Sequence, residues 1–349
     1  MANTLPGKTG VLIVNLGTPD APSRGAVYRY LKQFLLDPRV IDINPIARNI
    51  LVRGIIAPFR SGKSAKAYKE LWTANGSPLK YFGERLVNMV QTELGDDYVV
   101  TLGMRYQNPS LESAIETLMA QQVQRIVVFS LFPQYASATV GSVHEEVMRI
   151  LAKQQVIPEI DLINSYCEWP EMVHLFAENA RKYALDSYDH ILFSYHGLPQ
   201  RQLRKADNAN HCLQSPDCCQ TLTVKNQFCY SAQCHATTKA IARHLGLSPE
   251  QYTVCFQSRL GADPWTQPYT QKVIEALGKA GKKRILVFCP AFTSDCLETT
   301  IEIGEEYREE FLHMGGEQLD LVESLNDNPL WAKAIAAFVQ ARTGAAVVL

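Results

Sequence analysis

Neither sign of charge dominates this sequence: 34 Lys and Arg stand against 35 Asp and Glu. A chain without a basic field lacks the electrostatic footprint of a nucleic-acid binder. No run approaches the roughly 18–20 consecutive apolar residues that a membrane span requires. The first ten residues carry no cationic-then-apolar leader, so a cytoplasmic location is expected. Nucleotide fingerprints are missing too. There is no Gly-x-Gly-x-x-Gly, and Ser61-Gly62-Lys63-Ser64 imitates only the end of a phosphate loop, because Ala57 stands where the first glycine is needed. His144-Glu145 has no second His four residues after the first, which excludes a zincin pair. What is abundant is cysteine. Five of the nine fall between Cys212 and Cys234, with Cys167, Cys255, Cys289 and Cys296 scattered. Without a secretory leader, metal ligation or redox chemistry is the first reading of such a cluster.

At 349 residues, 46% of them hydrophobic, the chain is large enough for two α/β lobes. Short apolar, β-branched runs predict strands at 11–16, 98–102, 125–132, 190–195, 252–257, 284–289 and 319–324. Helical stretches at 110–121, 171–184, 266–279 and 298–310 separate them. Near-continuous apolar strands alternating with amphipathic helices point to parallel sheets covered on both faces, a doubly wound architecture. The pattern also repeats. A strand ending Met104-Arg105-Tyr106, then Pro109, a helix and Arg125-Ile-Val-Val-Phe-Ser, is echoed by a strand ending Ser258-Arg259-Leu260, then Pro264, a helix and Arg284-Ile-Leu-Val-Phe-Cys. The expectation is two similar Rossmann-like lobes, each a four-stranded parallel sheet, facing each other across a cleft. The first spans 1–165 and the second 166–328, with a Cys-rich insert at 205–234. A last helix within 329–349 is expected to pack back on the first lobe. The segment 40–59 admits two readings: a buried helix pair, or an exposed apolar lip that admits a greasy substrate or rests on the inner membrane face.

In such sheets ligands sit beyond the carboxyl ends of the strands. Two groups there carry chemistry. His196, in Phe193-Ser-Tyr-His196-Gly-Leu-Pro199, ends an apolar strand on a tight turn. Glu298, Glu302 and Glu306, spaced four apart, form one stripe of a helix, suited to a divalent cation if it begins at the cleft. A capping His and a solvated acidic face are the plainer readings of the same residues.

Taken together, the motifs Val14-Asn-Leu-Gly-Thr-Pro19, Asn75-Gly-Ser-Pro78, Gly103-Met-Arg-Tyr106, Phe132-Pro-Gln-Tyr135, Ser194-Tyr-His-Gly-Leu-Pro199, Gln257-Ser-Arg259, Pro264-Trp265 and Thr293-Ser-Asp-Cys-Leu-Glu298-Thr resemble those of the ferrochelatases, in order and over nearly the whole chain. The resemblance implies an enzyme that inserts ferrous iron into protoporphyrin IX, its partners being porphyrin and iron. Coproporphyrin is the alternative substrate, and a non-catalytic porphyrin- or heme-binding protein the alternative class. A cobalt chelatase for a more reduced tetrapyrrole fits less well, since those relatives are shorter.

By the same resemblance His196 and Glu298 are the catalytic pair and ligands of the incoming iron, and Glu302 and Glu306 continue an acidic path. Imidazole exchanges protons near neutral pH, and ferrous iron accepts imidazole and carboxylate. Leu16, Arg60, Ser77, Arg105, Tyr106, Tyr135, Trp265 and Phe292 match substrate-contact positions, Arg60 and Ser77 those that meet porphyrin carboxylates. Two departures stand out. Cys296 replaces a His found in some members and reads as a packed thiol. The tail past Asn326 lacks the cysteines that hold a 2Fe–2S centre in animal-type members. The internal pattern Cys212-x5-Cys218-Cys219-x9-Cys229-x4-Cys234 offers five thiols for the four such a cluster takes. Cys212, Cys218, Cys219 and Cys229 are the expected ligands, with Cys234 in reserve and zinc as the competing metal.

Overall fold

The computed structural model describes residues 7–344. Eight strands form: β1 (Thr9–Gly17), β2 (Tyr98–Tyr106), β3 (Arg125–Ser130), β4 (Glu159–Leu162), β5 (His190–His196), β6 (Tyr252–Gln257), β7 (Arg284–Phe288) and β8 (Gln318–Leu321). They make two four-stranded sheets, ordered β2-β1-β3-β4 and β6-β5-β7-β8, with every neighbouring pair parallel. The second sheet therefore repeats the order of the first. In each, the first strand is central because its run is apolar on both faces: Val11, Leu12, Ile13 and Val14 are wholly buried, as are Leu192, Phe193 and Tyr195. Each large apolar side chain removed from water in this way contributes about 1.5–3 kcal/mol.

The chain divides into two compact units. One comprises 7–131, 137–164 and 326–344 of the described residues, the other 132–136 and 165–325. The last helix, Pro329–Thr343, belongs to the first unit. Asn328 opens it by accepting from the Leu330 N–H, and Trp331 and Phe338 pack edge-on against Phe129 of β3. The expected continuation to 349 includes residues outside those described.

Differences from the sequence-based elements are local. The short edge strand β4, Glu-Ile-Asp-Leu, was not among the predicted strands. The helix expected from 266 begins at Thr270, because a cis Gln267–Pro268 bond occupies the preceding turn. Residues 298–310 are not one α-helix: Glu298–Tyr307 is π-helical and Arg308–His313 α-helical. A π-helical turn, Ser137–Gly141, also follows β3 in the first unit. Such wide turns are rare and concentrate at functional sites.

The segment 40–59 is not a buried helix pair. Pro45 starts a helix capped by Asn44, which passes through a π-helical stretch, Leu51–Ile56, into the helix Ala57–Leu71. Ile46, Ile50, Ile55 and Phe59 stand in solvent, Phe59 at 80% exposure. Among the described residues no helix is long and apolar enough to cross a membrane.

Candidate active site

The sheet of the second unit places its chemistry at a switch point. β5 leads on to β6 on one side and its other neighbour, β7, leads on to β8 on the opposite side, so the connections from the carboxyl ends of β5 and β7 run in opposite directions. His196 is the last residue of β5, in register with Gln257 of β6. The next position admits only glycine: a Cβ on Gly197 would lie 2.8 Å from the Gln257 carbonyl oxygen and 3.2 Å from the Trp265 ring. The His196 Nδ1 lies 2.8 Å from the Gly197 carbonyl oxygen. A carbonyl only accepts, so Nδ1 carries the proton and the neutral ring keeps its lone pair on Nε2. Trp265 and Phe292 flank the imidazole, each with its centroid at 6.5 Å. The Trp265 indole N–H is buried without a hydrogen-bond partner. An unpaired buried donor of this kind calls for an acceptor.

The π-helix supplies the carboxylates. Glu302 is held on four sides: the Ser258 hydroxyl donates to it at 2.7 Å, the Ser258 N–H at 3.1 Å, the Gln257 amide at 3.3 Å and the Tyr307 hydroxyl at 3.2 Å. Ser258 delivers both its donors from a left-handed backbone, φ 65°, which is uncommon for a residue with a side chain. Gln257 also bonds the Glu298 carbonyl oxygen at 2.8 Å, tying β6 to the start of the π-helix. Burial raises the Glu302 carboxyl above its ordinary value, and the Ser258 hydrogen bond works against that. Positive charge on His196 lowers it and the Glu298 carboxylate raises it, so the three groups share one electrostatic neighbourhood. By linkage, Glu302 stabilises the fold most below its unfolded value and loses that contribution as pH rises through its folded one. Glu298 and Glu302 are half-buried whereas Glu306 is exposed. The stripe thus runs from half-buried to exposed along the helix.

Among the other expected residues, Tyr135 is half-buried in the same unit, its ring edge-on to Phe228. Cys296 is a packed thiol, raised well above its ordinary value by burial. Leu16, Arg60, Ser77, Arg105 and Tyr106 lie in the first unit. Leu16 is half-buried at the end of β1 and Arg60 exposed. Ser77 is buried with its hydroxyl 2.9 Å from that of Thr18. Tyr106 is wholly buried and donates its hydroxyl to Asp37 at 2.9 Å. Arg105 pairs with the same Asp37 oxygen at 2.7 Å, and the Ser142 hydroxyl donates to it at 2.5 Å. Asp37, Gln257, Ser258 and Tyr307 carry much of this geometry, yet the sequence reading gave them no role. Only Gln257 and Ser258 sat inside a motif.

The cysteines converge elsewhere in the second unit. Cys212, Cys218, Cys219 and Cys229 line one cavity of about 170 Å³, whereas Cys234 is buried in the helix Tyr230–Leu245 and is absent from its wall. The Cys218 and Cys219 sulfurs are 3.5 Å apart and those of Cys219 and Cys229 3.8 Å. Asp207 shapes the loop, its carboxylate accepting the N–H groups of Ala209, His211 and Cys212. The Leu213 N–H points at the Cys218 sulfur at 3.4 Å. The contact with Cys219 holds the Cys229 thiol below its ordinary value, and burial lifts Cys212 to about 11.

Two duplicated four-stranded parallel units, one with an imidazole and half-buried carboxylates at its strand ends, define a chelatase-like α/β protein. Solved structures share that fold: SirB from Bacillus subtilis with Fe3+ (TM-score 0.53, 13% identity, 97% of this chain and 96% of that one). SirB from subspecies spizizenii in complex with cobalt matches at TM-score 0.52 and 10% identity, covering 97% and 95%. The ferrochelatase family model matches residues 8–343. Curated ferrochelatases from Legionella pneumophila (strain Lens) and Coxiella burnetii (strain CbuK_Q154) are each 44% identical, over 95% of this chain and 98% of the relative, and over 94% and 92%, respectively. The chain belongs to the ferrochelatase family, the lyases that insert iron into a porphyrin to make heme.

Proposed function

We propose that the substrate is protoporphyrin IX and that His196 removes the pyrrole protons. The observation that carries this reading is the Nδ1 hydrogen bond to Gly197, which leaves Nε2 as a fixed acceptor. Insertion exchanges two N–H protons for one Fe(II). The nitrogen lone pairs of a flat macrocycle lie in its plane, so the ring must bend, at about 1–5 kcal/mol drawn from remote contacts. Trp265 and Phe292 are the apolar surfaces beside His196 that a bent ring would meet. Protons leave His196 through Glu302 and the exposed Glu306, whose order from buried to wet suits a relay. Glu298, at the head of the stripe, is the carboxylate for incoming iron. The test is anaerobic incubation of the protein with Fe(II) and protoporphyrin, read as loss of free-porphyrin fluorescence. Fluorescence that persists with folded protein rejects catalysis and leaves a porphyrin carrier; loss only with coproporphyrin corrects the substrate.

The cysteine insert fits a 2Fe–2S cluster held by Cys212, Cys218, Cys219 and Cys229. Two thiolates on one tetrahedral metal, each bonded at roughly 2.3 Å, stand about 3.8 Å apart, so Cys219 is spaced to share a metal with either Cys218 or Cys229. The exchange moves no electrons, so the cluster's part is to hold 205–234 together. Freshly purified protein is expected to be red-brown, with visible absorbance that dithionite bleaches and that Cys219→Ser removes. A colourless protein with stoichiometric zinc would reject the cluster.

The exposed side chains Ile46, Ile50, Ile55 and Phe59, beside the exposed Arg53 and Arg60, suit peripheral contact with an anionic membrane surface. Co-sedimentation with anionic vesicles should fall several-fold in an Ile46→Ser, Phe59→Ser double variant. Unchanged sedimentation would remove this face from the account.

A further inference from the structure

Outside the sites already described, one cluster of metal-ligating side chains among the described residues is assembled on the surface of the second unit. The helices Pro170–Ala180 and Tyr230–Leu245 pack side by side. The first presents His174 and, one turn later, Glu178; the second presents His244 close to its C-terminal end. The His174 Nδ1 lies 3.2 Å from the His244 Nε2, and 3.8 Å from Glu178 Oε1. One ligand atom from each residue lies within 4.8 Å of the other two.

We propose that His174, Glu178 and His244 bind a divalent first-row transition ion. The chemistry of the donor set carries this. Two imidazole nitrogens bound to one tetrahedral ion at about 2.0–2.1 Å each stand roughly 3.3–3.4 Å apart, and the observed spacing is 3.2 Å. His174 and Glu178, at i and i+4, share one helix face, so the third donor needs no backbone movement. Two imidazoles and one carboxylate suit Fe(II), Ni(II), Cu(II) or Zn(II), and exclude the all-oxygen preference of calcium and magnesium. Both histidines are exposed, which leaves the remaining positions to water and makes the ion exchangeable. One competitor is already seated: the Arg181 guanidinium pairs with Glu178 Oε1. The ion must share that carboxylate or displace the arginine.

Nickel is the probe. Calorimetric titration of the full-length protein with Ni2+ under anaerobic conditions should show one more binding event than the His244→Ala variant. His174→Ala should weaken the same event at least tenfold, and Arg181→Ala, which frees the carboxylate, should tighten it severalfold. His196→Ala, which alters the chelatase site, should leave it in place. Equal Ni2+ uptake by wild type and His244→Ala, with both folded by circular dichroism, would overturn the proposal and leave a histidine–histidine hydrogen bond. So would an event lost in His196→Ala and kept in His244→Ala.

Discussion

Replacing His196 by alanine is expected to slow iron insertion by roughly 10²–10⁴-fold, the contribution of a positioned general base. Porphyrin should still bind. The side chain ends the central strand of its sheet and its backbone is in register with Gln257 of β6, so alanine removes the imidazole without disturbing the strand. Trp265 and Phe292 remain as apolar surfaces for a macrocycle. The two readouts therefore separate: turnover by fluorescence loss under anaerobic conditions, and binding by the shift of the porphyrin spectrum. Near-normal turnover in the variant would mean that the proton acceptor is another group. Loss of porphyrin binding together with turnover would make His196 a binding residue first. The carboxylate side behaves differently. Glu302 receives four hydrogen bonds, so its removal would also unsettle Ser258, Gln257 and Tyr307.

Asp37→Ala is expected to be the most destabilising single change in the first unit, by about 3–5 kcal/mol, the cost of stripping one partner from a buried ion pair. The Asp37 side chain is 3% exposed and that of Arg105 15%. One carboxylate oxygen takes the Arg105 guanidinium, the Tyr106 hydroxyl and the Ser142 hydroxyl, while the other takes the Arg39 N–H at 2.7 Å. Alanine would leave a buried cation and two hydroxyls without their acceptor, each unpaired polar group adding to the penalty. Urea unfolding, read as a midpoint shift at constant slope, checks it. A loss below about 1 kcal/mol would mean that water replaces the carboxylate and that the network is not closed. The same network explains Arg105 and Tyr106. The sequence resemblance marks them as substrate positions, whereas in the fold both are committed to Asp37.

What was legible in the sequence followed from period and spacing. Buried parallel strands read as apolar runs, and seven of the eight were visible that way, β4 being the exception. The duplication was visible because Arg125-Ile-Val-Val-Phe and Arg284-Ile-Leu-Val-Phe begin equivalent strands. The cysteine insert announced itself by density alone. Other features had no such signal. The π-helical turns after β3 and β7 depend on backbone hydrogen bonding that no side-chain spacing encodes. Asp37, Arg105 and Ser142 meet only through tertiary structure, as do His174 and His244. Whether 40–59 is buried or exposed depends on what packs against it, and a one-residue-at-a-time hydropathy reading does not contain that.

The duplication has one asymmetry with a consequence. β2 and β6 end alike, each followed by a left-handed residue, Gln107 at φ 68° and Ser258 at φ 65°. In one half the acid near that corner, Asp37, is paired with a guanidinium; in the other, Glu302 is held by neutral donors. Only the second unit's copy of the corner therefore offers a carboxylate that no arginine already pairs.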